Sequence, residues 1–152
     1  MNKWHKSFLK IAQEFASHST CIRKQVGCIL VRDSRIISTG YNGTSSGMQH
    51  CNEVFKEHKD DLQNPKFLEL HKQWSEKHEL HAEQNCLMYA AKNGVSTNNG
   101  VLYLTLSPCI HCCKLIISAG IKEVYYSEEY DRETEGLELL KGANISCNFV
   151  IL

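Results

Sequence analysis

His81-Ala82-Glu83-Gln84-Asn85-Cys86-Leu87, answered downstream by Ser107-Pro108-Cys109-Ile110-His111-Cys112, is the stretch around which this chain is organised. Glu83, Leu87, Tyr89, Ala90 and Ala91 lie in a helix-forming run that stops at Asn93-Gly94. Val101-Leu102-Tyr103-Leu104-Thr105-Leu106 is a short apolar, β-prone run, and the cysteine pair follows it at the start of another helix. One helix N-terminus therefore carries His81 and Glu83, and the next carries Cys109 and Cys112. Helix N-termini hold a positive partial charge that favours thiolate over thiol. An imidazole and two thiolates are the ligand types of a catalytic zinc, which keeps three protein ligands and an open fourth position. In this reading His81, Cys109 and Cys112 bind zinc, and Glu83 stands beside it as the proton carrier. A structural zinc site, or plain core cysteines, is the competing reading. A closed structural site has no use for an unligated glutamate two residues from its histidine.

Composition narrows the class. A chain of 152 residues fits one domain, 1–152, with enough length to bury a core without covalent staples. Lys+Arg and Asp+Glu are both 17, so the net charge is zero, which argues against a nucleic-acid partner. The apolar runs are strand-sized, too short to span a membrane. The start, Met1-Asn2-Lys3-Trp4-His5-Lys6, does not read as a secretory signal. The 8 cysteines then point to metal binding more than to disulfides, and a cytoplasmic location with reduced thiols is expected.

Working outward, residues 3–17 read as an amphipathic helix with Phe8, Ile11, Ala12 and Phe15 at helical spacing. Residues 25–41 read as a β-hairpin turning at Asp33-Ser34, with Cys28 a core thiol in its first strand. Gly40-Tyr41-Asn42-Gly43 opens a loop. Its glycines permit close approach of a ligand, and Asn42 offers a donor and an acceptor. Residues 44–80 are a long insertion, helical from about Pro65 to Lys77, and a connection of this length is usually functional. Cys86 reads as a core thiol near the site. Cys113 points elsewhere on its helix, since only Cys112 has the gap that lets two sulfurs meet one metal. Leu115, Ile116 and Ile117 are expected to pack that helix down. A strand at Ile121–Tyr126, a helix at Glu133–Lys141 and a strand at Asn144–Leu152 complete a parallel crossover. The expected fold is α/β, three layers α/β/α, with a five-stranded mixed sheet.

A lone Cys-x-x-Cys is a weak signal. With His81-Ala82-Glu83 upstream and Pro108 before the first cysteine, the set matches the zinc-deaminase signature. On those residues, and on Ser19–Gly27, Ser38–Gly43 and Leu104–Cys109, the chain resembles the cytidine/deoxycytidylate deaminase superfamily, and most closely its dCMP deaminases, including phage forms. The resemblance runs from about Ala16 to Tyr130 and implies a cytidine-deaminase-like fold and conversion of dCMP to dUMP, which supplies thymidylate synthesis. It implies that Asn42 faces the sugar and pyrimidine and that Tyr130 meets the 5′-phosphate. Arg23 and its neighbour Lys24 are the basic candidates for that phosphate. Ser107, through its carbonyl, and Ala82, through its N–H, are placed against the amino group and the O2 edge of the base.

Some phage members carry a second, structural Zn2+, and Cys21, Cys51, His71 and Glu79 line up with its ligands. His50 and His78 are rivals for any one of these positions. A long polar insertion also has physical reason to be tied down by a metal, which contributes folding energy directly. Many members are homo-hexamers activated by dCTP and inhibited by dTTP. Gly43 and Gly47 are then the expected points of close backbone approach to the effector. Competing readings are another deaminase of the superfamily, acting on tRNA adenosine, cytidine or guanine, and a non-catalytic zinc-stabilised binding module.

Overall fold

The computed structural model of the protein describes residues 3–130 and 135–152. Helix α1 (Lys3–Ala16) precedes strands β1 (Gly27–Arg32) and β2 (Arg35–Tyr41), which form the expected hairpin. Asp33 and Ser34 both take positive φ, 50° and 61°, as the tight turn between twisted strands requires. The insertion holds β3 (Gly43–Thr44), a one-turn helix α2 (Cys51–Val54), α3 (Pro65–His78) and β4 (Glu79–Leu80). Then follow α4 (Ala82–Lys92), β5 (Val101–Leu104), α5 (Ile110–Ser118), β6 (Glu123–Tyr126), α6 (Glu135–Gly142) and β7 (Ser146–Phe149). The expected start of α6 at Glu133 lies outside the described residues.

The main sheet has five strands in the order β2-β1-β5-β6-β7. β1 pairs antiparallel with both β2 and β5, while β5, β6 and β7 run parallel through the α5 and α6 crossovers. The sheet is therefore mixed, as expected. Side-chain alternation divides its residues between two cores. Cys28, Leu30, Leu102, Leu104, Val124 and Tyr126 meet α4, α5 and α6 on one face. Ile29, Val31 and Tyr103 meet Phe8, Leu9 and Ala12 of α1 on the other. Both faces are covered, which is why β1 reads as an unbroken apolar run and not as an alternating one. The His5 ring also locks α1 down, stacked 4.1 Å from Tyr125 and bonded at 2.9 Å to the Tyr103 hydroxyl.

Two expectations are corrected. On α5 the buried face is Cys112, Cys113 and Ile116, whereas Leu115 is 38% exposed, because at 3.6 residues per turn Cys112 and Cys113 flank Ile116 on one side of the helix and Leu115 lies about 100° around from Ile116. On α1, Leu9 joins the buried face, and Ile11 and Phe15 are only partly covered. The insertion also has a small aromatic core of its own: Phe55 meets Phe67 edge-on at 5.6 Å and packs on Trp74, beside Cys21 and Cys51. Among the described residues no helix is long and apolar enough to cross a membrane.

Gly40 is the point where α4 seats on the sheet. A Cβ built there would lie 2.4 Å from the Ala82 carbonyl oxygen and 2.5 Å from the Cys86 nitrogen. Gly40 thus makes room for a helix, not for a ligand. Because both colliding atoms are backbone, Gly40→Ala must shift α4, and overpacking of this kind costs on the order of 3 kcal/mol. Urea unfolding is expected to show a lower midpoint for Gly40→Ala, while Gly142→Ala, where a Cβ meets nothing within 4 Å, stays near wild type.

Candidate active site

α4 and α5 direct their N-termini at one point. His81 is the N-cap of α4 and Cys109 the N-cap of α5, so each side chain stands at the positive end of its helix. Gln84 fixes the first of these by reaching back to accept the His81 backbone N–H at 2.7 Å. That polar residue three positions after the cap is a sequence-visible signal of the helix start. His81 Nδ1 lies 3.5 Å from Cys109 Sγ and 3.4 Å from Cys112 Sγ. Bond lengths of about 2.3 Å to sulfur and 2.0–2.1 Å to nitrogen, at tetrahedral angles, put the N···S edge at about 3.5 Å. The donor set and its spacing therefore fit zinc. Cys113, although adjacent, turns its thiol to the Pro108 carbonyl at 3.6 Å, and His111 is exposed.

The electrostatics fit a cation as well. Its hydrogen bond with Cys112, reinforced by His81, holds the Cys109 thiol down to about 3 despite burial. The same bond and burial push Cys112 up. The Cys109 thiolate raises His81. Glu83, two residues beyond the cap, is 4% exposed, and burial raises its carboxyl above the usual carboxylate range. Its position against the Cys112 sulfur, inside the site but outside the N/S triad, leaves it able to accept and release a proton.

A second cluster lies on the insertion side. His71 Nε2 is 3.6 Å from Cys21 Sγ and 3.4 Å from Cys51 Sγ, again the edge length of a tetrahedral site. Glu79 sits against the Cys21 thiol, and burial followed by that sulfur's charge pushes its carboxyl up to about 7. Its Oε1, and His71 Nδ1, are buried with no hydrogen-bond partner among the described residues. His50 is not in the cluster: its ring faces the Thr44 hydroxyl at 3.3 Å. His78 packs against Trp74 with its ring tilted, centroids 5.2 Å apart.

The remaining expected site residues are placed as follows. Asn42 accepts the Val26 N–H at 2.8 Å and donates to the Lys24 carbonyl at 2.8 Å, so both ends of its amide hold the preceding loop. Ser19 adds a bond to the Asn42 carbonyl at 2.7 Å and one to Cys21 N at 3.2 Å. This loop tether has no motif of its own, and only the folded backbone reveals it. Ser107 is buried; its hydroxyl accepts the Tyr130 N–H at 2.7 Å, and the Tyr130 side chain is exposed. Ala82 is fully buried. Arg23 and Lys24 line a cleft of about 1090 Å³ bounded by Ser17, Thr105 and Ser127. Lys24 is ion-paired with Glu128 across it. Gly43 pairs with Leu80, and Gly47, at φ 84°, occupies an exposed turn.

The model of the cytidine and deoxycytidylate deaminase zinc-binding region matches residues 2–128. The chain belongs to this family. It is 34% identical over 163 residues to the deoxycytidylate deaminase of Enterobacteria phage T4, covering 90% of this chain and 84% of that one. It is 36% identical to ComE operon protein 2 of Bacillus subtilis, covering 98% of this chain and 72% of that protein. Among solved structures, the dCMP deaminase of cyanophage S-TIM5 in complex with dCMP and dUMP superposes with a TM-score of 0.78. That match has 35% identity and covers 99% of both chains. The five-stranded mixed sheet with helices on both faces is the cytidine-deaminase-like fold of these relatives.

Proposed function

We propose that this protein is a zinc-dependent dCMP deaminase, hydrolysing dCMP to dUMP and ammonia. The observation that carries the reading is the His81/Cys109/Cys112 triad with a buried, non-ligating Glu83 beside it. The relatives' names and the S-TIM5 complex support the choice of nucleotide. Zinc held by the triad supplies a Lewis acid that lowers the pKa of a water toward about 7. Glu83 takes the proton of that water and delivers it to N3 of the cytosine ring as the water oxygen bonds to C4. A second transfer through Glu83 carries the remaining proton of the C4 hydroxyl to the amino group, the C4–N bond breaks as the C4=O bond of dUMP forms, and ammonia leaves. Burial suits this shuttle, because it raises the Glu83 carboxyl above the ordinary carboxylate range and so eases the uptake of a proton. The Ser107 carbonyl holds the departing amino group, and the Ala82 N–H, at the positive end of α4, orients O2. Tyr130 and Arg23 are assigned to the 5′-phosphate, and Asn42 to the sugar side through the loop that it tethers.

A second, structural zinc at Cys21, Cys51, His71 and Glu79 belongs to the same reading. Its support is the tetrahedral edge spacing and the partnerless Glu79 oxygen. Regulation is the third part: activation by dCTP and inhibition by dTTP in a homo-hexamer, with Gly43 and Gly47 at the effector. This rests on the family resemblance alone.

Glu83→Gln is expected to keep its zinc and its circular dichroism while ammonia release from dCMP falls by about 10³-fold or more. Substantial residual turnover would refute the assignment. Elemental analysis is expected to find about two zinc per wild-type chain and about one for Cys51→Ala. For regulation, the dCMP saturation curve is expected to become less sigmoidal with dCTP and more so with dTTP. Curves unmoved by either nucleotide argue that control is absent.

A further inference from the structure

We infer that the Cys21/Cys51/His71/Glu79 cluster positions the catalytic ligand His81, so that metal bound at one centre tightens metal binding at the other. The inference rests on the two-zinc reading above. Its basis is the chain path between the clusters. α3 carries His71 and ends at its C-cap Glu79, and β4 then runs straight into His81. Glu79 (φ −99°, ψ 140°) and His81 (φ −71°, ψ 159°) are both extended. Residues two apart on an extended segment share a face, with Cα atoms about 6.6 Å apart. The carboxyl facing the second cluster and the imidazole of the first are thus neighbours on one short, stiff piece of backbone.

Besides the Gln84 bond to the His81 N–H at the helix start, few contacts among the described residues anchor that piece. Among the described residues β4 pairs only through Gly43↔Leu80 and Thr44↔Glu79, and an isolated ribbon this short contributes almost no stability of its own. The Glu79 Oε1 atom is buried without a partner among the described residues, a cost that a bound cation removes. The opposing half of the cluster, Cys21, lies on the loop that Ser19 and Asn42 fasten to the end of β2. A cation joining Cys21 to His71 and Glu79 therefore closes a ring from the sheet, through β3 and β4, back to the sheet. His81 is the next residue out of that ring. With the ring open, α3 and β4 are held mainly by the small aromatic core around Phe55 and Phe67, and the first centre must order His81 at its own cost. Glu79 is on this account a positioning residue. Linkage makes the coupling reciprocal: each metal must change the other's affinity by the same factor.

The test is metal affinity, not turnover. The full-length wild type, stripped and titrated with Co2+, is expected to fill the two centres with positive cooperativity in its visible absorption. In chelator competition, Cys51→Ser is expected to hold its remaining zinc on the order of 10-fold more weakly than wild type holds its catalytic zinc. Cys112→Ser should weaken the remaining zinc at the second centre by a similar factor, which a merely structural clamp does not require. Glu79→Gln, which keeps size and shape, should reproduce the direction of the Cys51→Ser effect. Independent, non-cooperative Co2+ uptake at two sites overturns the coupling while leaving both centres standing. Full first-centre affinity in Cys51→Ser does the same. A wild type that takes up a single metal ion overturns the two-centre reading and the coupling together.

Discussion

Two helices aim their positive ends at the same point, and the architecture depends on what fills the space between them. α4 and α5 begin at His81 and Cys109, whose side-chain atoms lie 3.5 Å apart. Two converging helix N-termini repel unless negative charge sits between them. The thiolate of Cys109 provides it. The sheet makes the convergence possible. β5 delivers the Ser107-Pro108-Cys109 turn to one edge of the site, and Gly40 of β2 lets α4 lie close enough for His81 to meet it.

The insertion solves a different problem. Residues 44–80 would be expensive to order as a bare loop, since each fixed residue costs backbone entropy. They carry an aromatic knot of Phe55, Phe67 and Trp74, a two-residue ribbon, and a thiol–imidazole cluster that repeats the spacing of the first. The same chain segment that closes the insertion opens the catalytic helix. Structure in the insertion and geometry at the active site are therefore not separable, even though only His81 belongs to the triad.

Much of this was legible from residues alone. The hairpin with its Asp33-Ser34 turn, the helix from His81 to Lys92 and the parallel crossovers all follow from local patterns, because short-range sterics and side-chain periodicity determine them. The departures share one cause. Gly40 read as room for a ligand, yet the room is taken by a helix from elsewhere in the chain. Leu115 read as core by composition, yet the rotation of α5 about its axis is set by Cys112, Cys113 and Ile116 facing the sheet. Asn42 read as a free recognition group, yet its amide is committed to the backbone at Lys24 and Val26. Each depends on which surface a distant segment presents.

By itself the sequence determined the kind of chemistry: an imidazole, two sulfurs and an unligated carboxylate at helix starts are specified by spacing within segments, and spacing is a local property. It also determined the α/β layering, through the periods of its apolar residues. Tertiary structure alone decided that His71 meets Cys21 and Cys51, three residues spread over fifty positions, and that Glu79 stands beside them. It alone decided how closely α4 approaches the sheet. Those facts depend on the relative placement of segments far apart in the chain, and that placement is set by packing summed over the whole core.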